Sequence, residues 1–455
     1  MKREMHTLKN RITSVASCLS VMMLSACGGG GGGDALANGG TGECSQTAQK
    51  QFVLDAMLDW YLWNDLLPTN VDVNDYTSPE SLLAFLSTFS PDDGFGNSID
   101  RFSSINTAAA DSAFFGEGQF EGFGFSSRFV AADDLRLTRV FSSSPAFDAG
   151  LERGQRIVEL DGRTIAQIEA AEGVGAVFDT SPLEFRMRET NGNEFVVSIT
   201  QGLVTIDPVP QSRIIPLPGT PGIGYIELAT FISTADPEFD TVFGQFAAAG
   251  VSDVIVDLRY NGGGLVSTAE LLGDYLGGIA WQNLVFSETL FNADRSAAND
   301  DVEFFELRGN SVNLQRLVII ASSNTASASE LVTNSVDAFI DVVIVGDDTF
   351  GKPVGQIGLE FCEQILRPTS FQTVNANGFG DYFDGLPVDC PATDDLSIPV
   401  GANNDPNIEA ADEFLSAGSC PTAAAPGGVS KPVAAGIRLQ NEWRGPAWRE
   451  FAGAY

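Results

Sequence analysis

Apolar positions change rhythm along the chain. From Thr47 onward, Val53, Ala56, Met57, Trp60 and Tyr61 recur at i, i+3, i+4, i+7 and i+8, the spacing of an amphipathic helix. Pro68 is its expected stop, and Ser78-Pro79-Glu80-Ser81 supplies a cap and a first-turn proline for a second helix. Residues 44–115 are thus expected to form a small helical domain whose aromatic stripe is core. Across 116–205 the period shortens to two. Leu183, Phe185 and Met187 alternate with Glu184, Arg186 and Arg188, Asn191-Gly192 marks a hairpin turn, and Phe195 to Ile199 returns. From 206 to 420 strands alternate with helices. Ile223–Leu228, Val254–Leu258, Leu317–Ile320 and Val342–Val345 read as strands, Leu265–Leu276 as a helix, with another helix ending near Val336. This predicts a multi-domain α/β protein whose last domain holds a parallel sheet. Ligands gather at the carboxyl ends of such strands, so chemistry is expected just after residues 258, 320 and 345. Residues 421–455 begin rich in Pro, Ala and Gly and carry no assignable element.

All three strand ends carry unusual residues. Arg259-Tyr260-Asn261-Gly262-Gly263-Gly264 follows the first. Consecutive glycines let a backbone approach a ligand closely and offer N–H donors, although a plain turn has the same composition. Asn324-Thr325-Ala326-Ser327-Ala328-Ser329-Glu330 follows the second and puts a hydroxyl at a helix start, where negative charge is stabilised. Gly346-Asp347-Asp348-Thr349-Phe350-Gly351-Lys352-Pro353 follows the third and nearly spells a phosphate-binding loop. That reading needs a Ser or Thr after the lysine to hold magnesium; Pro353 has no hydroxyl, so no nucleotide is expected.

Composition narrows the chemistry. The chain of 455 residues holds one histidine, His6. Lys2, Arg3, Lys9 and Arg11 precede an uncharged, mostly apolar run from Ile12 to Leu24, too short to span a bilayer comfortably. Leu24-Ser25-Ala26-Cys27 resembles a bacterial lipobox, in which the cysteine is lipidated and becomes the first residue. Residues 1–26 are therefore expected to be a lipoprotein signal peptide and 27–43 a Gly-rich tether. Gly28 after Cys27 resembles the outer-membrane sorting pattern of enterobacteria. The expected location is the bacterial cell envelope, lipid-anchored, facing the periplasm or the cell surface. Cleavage removes four basic residues and Glu4, taking the net charge from −35 to −38, which argues against nucleic acid as a partner. It also removes His6, and with it every triad, metal site or proton shuttle built on imidazole. Any base must come from Lys, Asp, Glu or Tyr. Cys44, Cys362, Cys390 and Cys420 remain in an oxidising compartment. Of three possible pairings, Cys362–Cys390 and Cys44–Cys420 are expected, with free buried thiols as the alternative.

Without imidazole, Lys352 is the candidate base for Ser327, since a buried lysine can act near neutral pH. At this point Val254–Leu265, Thr325–Glu330 and Thr349–Gln356 resemble the C-terminal processing (tail-specific) serine peptidase family, whose members read V-D-L-R-x-N-x-G-G, S/T-A-S-A-S-E and T-F-G-K-x-x-x-Q. The resemblance implies an α/β core of the crotonase/ClpP-like type over residues 206–420. It implies Ser327 as nucleophile, Lys352 as base and Gln356 as the residue that positions the lysine. The N–H groups of Ala328 and Gly263, with Gly262 as the alternative glycine, would form the oxyanion hole. Pro353 departs from the family, which often has Gly there. Gly122-Phe123-Gly124-Phe125 resembles the carboxylate-binding loop of PDZ domains, and Ser144-Pro145-Ala146, Ala149-Gly150-Leu151 and Gly154 to Ile157 continue the match. A PDZ domain over 116–205 is implied, taking protein or peptide substrates by accessible C-termini. No metal, nucleotide or other cofactor is implied. The rival reading is a catalytically silent PDZ or protease-fold scaffold at the envelope; a glycan or polyester hydrolase using the same dyad is a weaker one.

Overall fold

A computed structural model describes residues 44–421. The expected signal peptide, Cys27, the expected tether and nearly all of the tail lie outside the described residues.

The first helix, Gln46–Trp60, is capped by Ser45, whose hydroxyl accepts from the Ala48 N–H, and it buries Val53, Leu54, Ala56 and Met57. It stops eight residues before Pro68. Tyr61 turns extended and is fully buried, and the Leu62 N–H donates to the Thr369 carbonyl at 2.8 Å. A tertiary contact ends this helix sooner than local chemistry requires. The second helix, Pro79–Leu86, carries the expected Ser78 cap, reciprocated by Ser81. Below these helices lies a three-stranded sheet of Ser104–Thr107, Gln364–Arg367 and Leu359–Phe361. Ile105 and Leu366 belong to the same apolar cluster as the two helices. The N-terminal part therefore closes its core with strands from 260 residues further on.

That arrangement corrects the cysteine pairing. The bonds are Cys44–Cys362 and Cys390–Cys420. Cys362 sits in the turn of the 359–367 hairpin, beneath the start of the first helix. Cys390 begins an edge strand of the core sheet, and Cys420 follows the helix Pro406–Ala417, which packs on that sheet. Proximity in sequence misled because the hairpin leaves the core to join the N-terminal helices.

Residues 119–205 hold a separate antiparallel sheet, ordered Phe125–Ala131, Asp134–Val140, Arg156–Leu160, Leu183–Arg188 and Glu194–Ile199, and a two-stranded ribbon of Gln119–Gly122 and Gly202–Thr205. Leu183 pairs with Ile199 and Arg188 with Glu194, the hairpin that the alternation predicts. The helices Ile165–Ala171 and Val174–Phe178 cover an aromatic core of Phe123, Phe125, Phe178 and Phe185. Phe125–Ala131 is the end strand of this sheet.

The last part is a six-stranded sheet: Gln211–Ile215, Ile223–Glu227, Asp253–Asp257, Arg316–Ala321, Val342–Gly346 and Cys390–Pro391. All neighbours are parallel except the first pair. Its strands are apolar on both faces because both are covered. Val254, Val256, Leu317 and Ile319 pack under the helices Asp236–Ala249, Val266–Trp281 and Ala328–Asp337. Ile255, Val318, Ile320 and Val343 pack under Pro406–Ala417. Sequence-predicted strands fall within a residue or two of those observed.

Candidate active site

The carboxyl ends of Asp253–Asp257, Arg316–Ala321 and Val342–Gly346 bring their three loops together. Hydrogen bonds then lace the loops to one another. Leu258 N–H donates to the Ile320 carbonyl at 2.8 Å, and Thr325 Oγ1 donates to the Leu258 carbonyl at 2.7 Å. Asn261 ties the glycine loop to its surroundings: its side-chain amide donates to the Leu228 carbonyl at 2.9 Å, and its own carbonyl accepts from Ala326 N–H and Ser329 Oγ. Phe350 N–H reaches the Thr325 carbonyl at 2.9 Å and brings in the third loop.

Ser327 immediately precedes the helix Ala328–Asp337 with φ +56° and ψ −115°. A residue with a Cβ pays for that conformation, and it persists only where surrounding bonds over-determine it. Glu330 supplies them. Its carboxylate is completely buried and accepts four donors: Thr349 Oγ1 at 2.5 Å and Gly351 N–H at 2.7 Å on Oε1, Lys352 N–H at 2.8 Å and Ser327 N–H at 2.9 Å on Oε2. Burial pushes this carboxyl above its usual range, against the pull of the four donors. One side chain thus holds the backbone of both Ser327 and Lys352. The Gly351 and Lys352 N–H groups, which a phosphate cradle would use, are donated to Glu330.

Lys352 is 9% exposed, and its Nζ donates to Gln356 Oε1 at 2.8 Å. Pro353 leads directly into the strand Val354–Gln356 and offers its carbonyl to Thr373 N–H. Gly263 lies against the serine turn: a Cβ on it would stand 2.7 Å from Ser327 Cβ and 2.9 Å from Ala328 N. Its φ of +105° also requires glycine. The Gly263 N–H, expected as an oxyanion donor, instead donates to Asn261 Oδ1 at 2.9 Å, within the turn that shapes its own loop. The structure therefore brings Ser327, Ala328, Gly263, Lys352 and Gln356 into one centre, with this one donor engaged.

Sequence reasoning missed the charged frame beneath. Arg259 is 2% exposed and pairs with Asp257 at 2.7 Å, Asp405 at 2.8 Å and Asp394 at 3.3 Å. Asp394 also holds Arg153 at 2.6 Å and Arg128 at 3.1 Å, both from the 119–205 module, and accepts from the Tyr260 hydroxyl. These cations hold its carboxyl below the ordinary range despite burial. Arg139 reaches Glu227 at 2.6 Å across the same boundary. Arg259 and Glu330 stand inside the motifs singled out above, but Asp394 and Asp405 carry no local signal. In the Gly122–Phe125 loop, Phe123 and Phe125 are fully buried in the module core. The Gly124 carbonyl accepts from Phe141 N–H and Ser144 Oγ, and a Cβ at Gly124 would collide with Ser144. Among the described residues no group of acidic, histidine or cysteine side chains is arranged to hold a metal.

Residues 222–379 match the model of peptidase family S41, and residues 48–104 match that of the peptidase S41 N-terminal domain. A carboxyl-terminal-processing protease of Synechocystis is 29% identical over 225 residues, covering 48% of this chain and 50% of its own. The chloroplastic carboxyl-terminal-processing peptidase 3 of Arabidopsis thaliana is 26% identical over 251 residues, covering 52% and 46%. The chain spans about half the length of these curated relatives. A crystal structure described as an S41 protease of Bacteroides fragilis superposes with a TM-score of 0.62 at 24% identity, covering 81% of this chain and 97% of that one, a likeness of fold.

Proposed function

We propose that this chain, whose residues 222–379 match the model of peptidase family S41, is a serine endopeptidase with a Ser327–Lys352 dyad, acting on exported proteins. The observation that carries this reading is the Glu330 carboxylate, which holds the backbone of nucleophile and base together. Ser327 Oγ attacks a peptide carbonyl and the C–N bond breaks through an acyl-enzyme. Lys352, neutral when it acts, takes the hydroxyl proton and passes it to the leaving amine; water then releases the acyl group. Gln356 keeps Nζ in place through a neutral amide oxygen. Ala328 N–H, at a helix start, and a glycine-loop N–H stabilise the oxyanion. For Gly263 to serve, its bond to Asn261 must be shared or released when substrate enters.

The module over 116–205 is proposed to act as a PDZ domain. A substrate C-terminus docks on the Gly122–Phe125 loop and adds alongside the end strand Phe125–Ala131. The ion pairs Arg139–Glu227 and Arg153–Asp394 support a fixed seating of that module on the core. Anchoring through a lipid on Cys27, at the outer membrane, completes the proposal.

The test is cleavage of unfolded exported proteins by the parent, Ser327→Ala and Lys352→Ala. Both variants are expected to be inactive with parental melting; cleavage by either at the parental rate would overturn the dyad. Binding of apolar peptides with free against amidated C-termini tests the module, and equal affinity for both would sink carboxylate capture.

A further inference from the structure

Lys352 is also approached from a direction that none of the three core loops supplies. Asp100-Arg101-Phe102-Ser103 forms a tight turn at the end of the N-terminal domain. Asp100 is buried and accepts from the N–H groups of Phe102 and Ser103 at 3.0 and 3.1 Å, from Ser103 Oγ at 2.7 Å and from Thr369 Oγ1 at 2.9 Å. The turn pins Phe102, which is 4% exposed. The Phe102 carbonyl accepts from Gln356 Nε2 at 2.6 Å, and Nε2 also donates to the Arg367 carbonyl at 3.1 Å. With both amide protons directed at carbonyls, Oε1 is left to face Lys352 Nζ. The Phe102 ring then lies over Nζ, 5.3 Å from centroid to nitrogen, and packs edge-on against Phe350 at 6.2 Å. Arg101 donates to the Phe350 carbonyl at 3.2 Å, closing the turn onto the lysine loop.

We infer that Phe102 is a positioning residue for the base, so that the N-terminal domain completes the catalytic centre. Its carbonyl sets the orientation of Gln356, and its ring excludes water from Nζ. Both act through Lys352 and neither requires contact with substrate. The charged groups around this pocket are Glu330, which binds the Lys352 N–H, Arg101 over the Phe102 and Phe350 rings, Asp100 within the turn, and Arg367, paired with Asp111. The inference rests on the Ser327–Lys352 reading.

The test uses the full chain and a peptide substrate, comparing Phe102→Ala and Phe102→Leu with the parent, Ser327→Ala and Lys352→Ala. Phe102→Ala is expected to lower kcat by about 10- to 100-fold with KM within about threefold, because the base loses its fixed position. The acid limb of its kcat–pH profile is expected to move to higher pH, because hydration of an ammonium outweighs the attraction of the ring face. Phe102→Leu keeps an apolar cover and is expected to restore kcat to within about threefold of the parent. Parental kcat and acid limb in Phe102→Ala, a loss confined to KM, or Phe102→Leu as impaired as Phe102→Ala would each overturn the inference. Circular dichroism melts accompany the kinetics. Should Phe102→Ala be unfolded at assay temperature, Phe102→Val replaces it with the same expected direction and the same overturning results. Parental cleavage by Ser327→Ala or Lys352→Ala brings down the dyad and this inference with it. Inactive dyad variants beside a parental Phe102→Ala bring down this inference alone.

Discussion

Glu330→Gln tests the joint between Ser327 and Lys352, the proposed nucleophile and base, most directly. The substitution keeps shape and volume but replaces one acceptor oxygen by an NH2 group. Each carboxylate oxygen now takes two donors: Thr349 Oγ1 and Gly351 N–H on one, Lys352 N–H and Ser327 N–H on the other. Whichever way the amide turns, two donors face an NH2. Each bond to a charged group contributes about 1.5–3 kcal/mol, so two lost bonds cost about 3–6 kcal/mol. Part of that returns, because burial pushes the native carboxyl up and a neutral amide escapes the cost of ionising it. The net loss is expected to be about 2–4 kcal/mol. If the amide NH2 faces Ser327 and Lys352, both backbones lose their shared anchor, and a displacement of about 1 Å lowers kcat by about 100-fold. Urea denaturation followed by circular dichroism measures the first quantity, and peptide cleavage under saturating substrate the second. A variant within about 0.5 kcal/mol of the parent, with parental kcat, refutes the reasoning.

Three further outcomes are expected. Ser327→Gly should be more stable than Ser327→Ala by about 1 kcal/mol, since only glycine adopts φ +56° without strain; a lower melting temperature for the glycine variant contradicts this. Gly263→Ala should lose about 100-fold or more in kcat/KM, because its Cβ meets Ser327 Cβ and Ala328 N at 2.7 and 2.9 Å; undiminished cleavage shows that the glycine loop does not frame the nucleophile. Glu270, on the helix Val266–Trp281, is pushed up to about 7 by burial and by the neighbouring carboxylates of Glu303, Asp274 and Asp301. The folded chain therefore holds this proton more tightly than the unfolded chain, and stability falls as pH rises from about 4.5 to about 7. Discounted for partial exposure, the effect is about 1–2 kcal/mol. Glu270→Gln should remove that slope and be the more stable protein at pH 8, as denaturation at pH 5 and pH 8 would show; an unchanged slope refutes the assignment.

Local pattern was sufficient for much of this molecule. Parallel strands buried on both faces need continuous apolar runs, so Val254–Leu258, Leu317–Ile320 and Val342–Val345 were legible, as was the Leu183–Ile199 hairpin from its period of two and its Asn-Gly turn. Those strand ends in turn located the three loops that carry Ser327, Lys352 and Gly263, because a parallel sheet exposes its loops at one edge. The resemblance to the peptidase family rests on the same segments, which lie within the 222–379 match. What remained hidden depends on groups distant in the chain. The first helix ends at Trp60 because Leu62 bonds to Thr369, a contact that no local signal announces. The 359–367 hairpin leaves the core to complete the N-terminal sheet, and this alone decides that Cys44 bonds to Cys362. Glu330 stood in a recognised motif, yet its four donors come from both sides of a 25-residue interval closed only by folding. Phe102 reads as one more aromatic core residue until the turn at Asp100 places its carbonyl on Gln356 and its ring over Lys352. Periodicity reports which faces are buried, since burial is a property of each element. Which buried groups meet is decided by tertiary packing, since hydrogen bonds and ion pairs depend on distances that sequence separation does not encode.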